Sequence, residues 1–143
     1  MTLHLIKLSV GPEKLSDLAR WQEQRLREHA RAGRTAELMH VTRNTPKRGA
    51  ELLEEGSIYW VIKGYIVARQ QLLELRPLVV DGAPYCGLVL GHELIRVVPR
   101  KHRPFQGWRY LEASAAPKDL ALRQSYDDLD GALRDELVGA GLL

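Results

Sequence analysis

The stretch from Ser57 to Leu90 constrains this chain most, because it reads almost continuously as β-structure. Ser57 to Val67 is rich in Ile, Tyr, Trp and Val, the residues that suit a pleated, half-buried surface. Val67 to Leu75 also contains helix formers. It is read as strand because Leu78-Val79-Val80-Asp81-Gly82 looks like a strand running into a turn, with Tyr85 to Leu90 returning. Gly64 reads as a bulge or a close backbone approach. Period-two geometry puts Ile58, Trp60 and Ile62 on one face, and Tyr59, Val61 and Lys63 on the other.

Shorter elements surround this sheet. Leu3, Leu5 and Lys7 alternate with His4, Ile6 and Leu8 ahead of Gly11-Pro12, which predicts a first strand. A helix opens at Pro12-Glu13, carries Leu15, Leu18, Ala19 and Leu26 at helical spacing, and stops at Gly33. Leu38 to Thr42 predicts a short strand. Thr45 as cap and Pro46 at the first helical position then predict a second helix, Pro46 to Glu55, closed by Gly56. Further strands are expected at Glu93 to Val98 and Trp108 to Leu111, with a basic loop at Pro99 to Pro104 between them. Leu129, Leu133 and Leu137 mark a terminal helix. No repeat or linker divides residues 1–143, so one domain is expected: α+β, with a mixed, largely antiparallel sheet and flanking helices.

Bulk chemistry removes several classes of function. The formal charge of +3 is too small for a protein that coats DNA generally, so the placement of charge matters more than its total. Cys86 is the only cysteine, which rules out an intrachain disulfide and a thiolate cluster and points to the cytoplasm. No apolar run approaches the ~18 residues of a membrane span. The scattered residues His4, His29, His40, His92 and His102 show no metal-ligand spacing, and neither a nucleophile elbow nor a phosphate-binding glycine loop is present. No metal and no cofactor are expected.

What remains is basic charge mixed with aromatics. Arg43, Lys47 and Arg48 crowd the predicted start of the second helix, where cations cost roughly 0.3–1 kcal/mol each against the macrodipole and a docked anion would reverse that sign. Lys63 and Arg69 sit in apolar stretches beside Gly64 and suit phosphate contacts. Arg100, Arg103 and Arg109 form a second edge, interleaved with Phe105 and Trp108, which with Tyr59 are stacking surfaces for unpaired bases. RNA or another single-stranded nucleic acid is the expected partner. The alternative is a small hydrolase of modified nucleosides or similar anions, with Lys63 and Glu74 as its reactive pair.

Three stretches are similar to signatures of an uncharacterised bacterial family, domain of unknown function fourteen eighty-nine. They are Thr45-Pro46-Lys47-Arg48, Gly56-Ser57-Ile58-Tyr59-Trp60-Val61-Ile62-Lys63-Gly64 and Arg103-Pro104-Phe105-Gln106-Gly107-Trp108-Arg109-Tyr110-Leu111, with Leu3-His4-Leu5-Ile6-Lys7-Leu8 in support. That family name implies no activity, so it transfers no catalytic residue. The order of elements also resembles the small PUA and ASCH barrels, which implies a sheet curled into a barrel and binding of RNA or modified bases.

Overall fold

The computed structural model of the chain describes residues 2–120, so the helix expected around Leu129, Leu133 and Leu137 lies outside the described residues. The elements run β1 (Leu3–Leu8), α1 (Leu15–Arg31), β2 (Leu38–Thr42), α2 (Gly49–Leu52), β3 (Ser57–Ile62), β4 (Tyr65–Val80), β5 (Ala83–Leu90), β6 (Ile95–Lys101), β7 (Trp108–Glu112) and a 3-10 turn at Ala113–Ala115. The strands form one 7-stranded sheet in the order β2-β5-β4-β3-β1-β7, with β6 also on β4. β1 and β3 are parallel, and the other described strand pairs are antiparallel. The fold is therefore α+β with a mixed, largely antiparallel sheet. Its path ends at β2 and β7, so among the described residues the sheet is not closed into a barrel.

β4 organises the rest. Its first half pairs with β3 and β6, and its second half pairs with β5 after a register shift between Leu72 and Glu74. Two hairpins bound it, and both need left-handed backbone. Asp81 and Gly82 (φ 50° and 79°) make the expected turn. Lys63 and Gly64 (φ 48° and 83°) make a second one, so the single strand expected from Ser57 to Val67 is instead two antiparallel strands folded at Lys63-Gly64. Gly64 thus marks a turn and not a bulge, and Lys63 sits at a hairpin tip instead of sharing the Tyr59 and Val61 face.

All six residues of β3 are buried, because both faces of this strand are covered. Ile58, Trp60 and Ile62 join Leu3, Leu5, Leu15, Leu18 and Leu88 in the main core under α1. Tyr59 and Val61 join Ile6, Ile66, Val97 and Phe105 in a second core on the opposite face. Residues after β7 fold back over that second core: Val98 N–H donates to Lys118 O, Leu120 N–H donates to Arg96 O, and Val97 bridges Asp119.

The second helix departs from expectation. It covers only Gly49–Leu52, and its cap position is Arg48. Thr45 does not cap it, since its side chain bonds the Cys86 thiol, while Arg48 N–H donates to Tyr110 Oη at 3.1 Å. The residues that would form the first turn are thus tied to β5 and β7. Gly56 does more than end the helix. A Cβ there would collide with the backbone oxygens of Leu52 and Leu3, so the absence of a side chain lets α2 sit against β1.

Candidate functional site

Most of the cations singled out in the sequence are already engaged. Arg48 donates from Nε and Nη2 to the Glu51 carboxylate at 3.0 and 2.7 Å and lies 3.7 Å from Glu112. Arg69 donates from Nε and Nη2 to Asp119, both at 2.7 Å, and from Nη1 to Ser57 Oγ at 2.9 Å. These bonds hold the Glu51 and Asp119 carboxyls below their ordinary range and raise their arginine partners. Lys63 lies 4.0 Å from Glu13. Arg43 lies over the Tyr85 ring at 5.2 Å, Arg109 lies over Phe105 at 5.1 Å, and Arg100 donates to Ala115 O. Lys47 and Arg103 are exposed and make no ion pair among the described residues.

The aromatics divide in the same way. Tyr59 (4% exposed) and Phe105 (9%) belong to the second core, so neither offers a face for a base to stack on. Trp108 is half-buried, donates to Asn44 O at 2.8 Å and meets Tyr110 edge-on. The proposed reactive pair is also separated. Glu74 accepts from Arg76 Nε at 2.9 Å beyond the bulge of β4, whereas Lys63 occupies the hairpin tip where β4 begins.

A different group of side chains converges between α1 and the sheet. On β1, Leu3 and Leu5 enter the main core, and Lys7 continues that row at its open end. The cross-strand partners of Lys7 are Trp60 on β3 and Trp108 on β7, so all three residues stand side by side on this face of the sheet. From α1, Gln22 and Arg25 follow Leu15 and Leu18 on the helix face turned to the sheet. From β2 comes His40, edge-on to Trp60 at 5.4 Å. Together they line a cleft of about 230 Å³ that Trp21, 51% exposed, borders on its outer side. Gly11 (φ 110°) lets the Trp21 ring lie against the preceding loop, since a Cβ there would come within 2.8 Å of it.

The floor of the cleft is a closed polar network. Gln70 is fully buried, and its Oε1 accepts from Trp60 Nε1 at 2.9 Å and from Gln22 Nε2 at 2.7 Å. Its Nε2 donates back to Gln22 Oε1 at 2.9 Å and to Gly91 O at 3.1 Å. A glutamine in the core is tolerable only when satisfied in this way, and the network fixes α1, Trp60 and β5 relative to one another.

The described walls are electropositive. Among the described residues no Asp or Glu lines the cleft, and neither Lys7 nor Arg25 has an ion-pair partner. Burial lowers the Lys7 pKa. Burial first, then the charges of Lys7 and Arg25, push His40 down to about 4, so its ring is neutral at neutral pH. An anion entering here would meet two unneutralised cations, one of them partly shielded from water. It would also meet an uncharged imidazole that can donate from one nitrogen and accept at the other.

Sequence reasoning missed this cleft, although two signals pointed to it. Lys7 stands in register with Leu3 and Leu5, where an apolar residue would ordinarily continue the row. Gln22 and Arg25 fall at the spacing of the Leu15 and Leu18 stripe instead of opposite it.

None of the curated proteins and none of the solved structures compared with this chain matches it. A protein family does match, over residues 5–143. The chain belongs to the family described as "Protein of unknown function (DUF1489)".

Proposed function

We propose that this protein binds single-stranded RNA or its nucleotides, with the cleft between α1 and the sheet as the site for a phosphate and its attached nucleoside. One observation carries this reading: Lys7 and Arg25 reach a cleft bordered by Trp21 and Trp60 and, among the described residues, lined by no carboxylate. A phosphate there replaces the water that solvates those cations, and the half-exposed Trp21 indole supplies flat apolar surface beside it, while Trp60, 3% exposed, packs into the core behind the cleft. The rim can track a longer strand. Trp108, the cross-strand neighbour of Lys7, bonds Asn44 O and so brings the loop with Arg43 and Lys47 alongside. At the end of β1, Ser9 N–H donates to Val61 O and His102 N–H donates to Gly64 O, which puts Lys63 and Arg103 near the other rim. A PUA-like curl of the sheet is part of the same proposal.

The test is titration of a fluorescent single-stranded RNA at several salt concentrations. The expected result is binding whose log K falls linearly with log salt, by a slope near 0.7 per phosphate contacted. Absence of binding at low salt, or a flat salt response, overturns the reading.

A further inference from the structure

We propose that Lys7 is a nucleophilic amine that condenses with the carbonyl of a phosphate-bearing aldehyde or ketone held in the cleft. This rests on the cleft being an anion site and adds a reaction to it. Lys7 is the one lysine of the chain that is not exposed; Lys14, Lys47, Lys63, Lys101 and Lys118 all lie in water. It is flanked in register by Trp60 and Trp108, and no carboxylate lies within ion-pair reach of its ammonium among the described residues. Among the described residues the charged or titratable groups that share the cleft with Lys7 are Arg25 from α1 and the neutral His40 from β2, and neither supplies a carboxylate to hold an ammonium. An amine partly desolvated against apolar walls is the arrangement that makes lysine a nucleophile. The lowered pKa of Lys7 agrees with that geometry.

The roles separate cleanly. The Arg25 guanidinium holds the phosphate through its planar fork of N–H donors. The Lys7 ammonium, which burial disposes to lose its proton, releases it to water, and the free amine then attacks the carbonyl carbon and forms a C–N bond. Two proton transfers then release the carbonyl oxygen as water and leave a C=N imine. The step is a condensation, so no oxidant or reductant takes part.

The experiment treats the full chain with pyridoxal 5′-phosphate, which combines an aldehyde, a phosphate and a flat ring. The imine is reduced to a stable amine with borohydride, and the modified peptides are mapped by mass. The expected result is a peptide containing Lys7 labelled severalfold more than any exposed lysine, with that label suppressed by adenosine monophosphate. Lys7→Met should lose it and Lys14→Met should retain it. Even labelling of the exposed lysines with Lys7 unmodified, while adenosine monophosphate still binds, overturns the proposal and leaves the anion site standing. Failure of both pyridoxal phosphate and adenosine monophosphate to bind overturns both.

Discussion

Lys7 and Arg69 lie on neighbouring parts of the same sheet, yet they have opposite fates. The Arg69 guanidinium is clamped by Asp119 and Ser57, and through Asp119 it fastens the segment after β7 across β6. Lys7 enters a cleft where no acid meets it among the described residues. Both interrupt apolar stretches of sequence, so the interruption alone does not separate a structural cation from one available to a ligand. The position of the carboxylates does. Arg69 and Arg48 are fasteners, and a phosphate would have to displace Asp119 or Glu51 to reach them. At Lys7 and Arg25 no carboxylate among the described residues needs to be displaced.

The largest expected effect falls on the cleft side of this comparison. Gln70→Leu leaves Trp60 Nε1 and Gly91 O without their partner and strips Gln22, at a cost of about 1–3 kcal/mol for each buried group orphaned, or roughly 4 kcal/mol in all. Urea unfolding monitored by Trp fluorescence checks this. If the loss is under about 1 kcal/mol, the network is not what holds α1 to the sheet.

Acid acts next, through His40. Its ring titrates near 6.5 when unfolded and near 4 when folded, so below about pH 6.5 the unfolded chain binds the extra proton. Stability is therefore full above that pH, falls as pH drops toward 4, and for this group levels off below it. The size is at most about 3 kcal/mol. His4, also lowered by burial, acts in the same direction. Unfolding curves of His40→Gln across this range should show a visibly shallower dependence than the parent, and identical slopes would contradict the burial of that ring.

On the fastened side, Arg69→Met should cost about 1–2 kcal/mol, between the surface and buried limits for an ion pair. Its signature is local. The Val98 and Leu120 amides, which bond across the returning segment, should lose hydrogen-exchange protection while those of β3 keep theirs. The smallest effect belongs to Arg48→Gln. Its partners Glu51 and Glu112 are half-exposed or more, so thermal melts should not distinguish the variant from the parent.

The long β-forming centre was legible in the chain, and so were the Asp81-Gly82 turn, the helix ended near Gly33 and the strand Leu38–Thr42, because periodicity and turn chemistry act locally. The errors had tertiary causes. Thr45 and Pro46 carry a strong local helix signal, but Cys86 takes the threonine and Tyr110 takes the Arg48 amide, both from strands far away in sequence. Lys63 adopts a left-handed turn that lysine seldom chooses, so the hairpin at Lys63-Gly64 was hidden inside one apolar run. Phe105 reads as a stacking residue beside its basic neighbours until the fold encloses it in the second core. The cleft was the least legible part, since α1, β1, β2 and β3 each contribute only one or two of its polar groups.

The central claim is that the unneutralised cations of the cleft hold the anion and the fastened ones do not. Quenching of Trp fluorescence by adenosine monophosphate at low salt tests it most directly, because Trp21 and Trp60 border the cleft. The account predicts saturable quenching that is lost in Lys7→Gln with Arg25→Gln and retained in Arg48→Gln. Quenching that survives the first pair of substitutions and disappears with the second would contradict it.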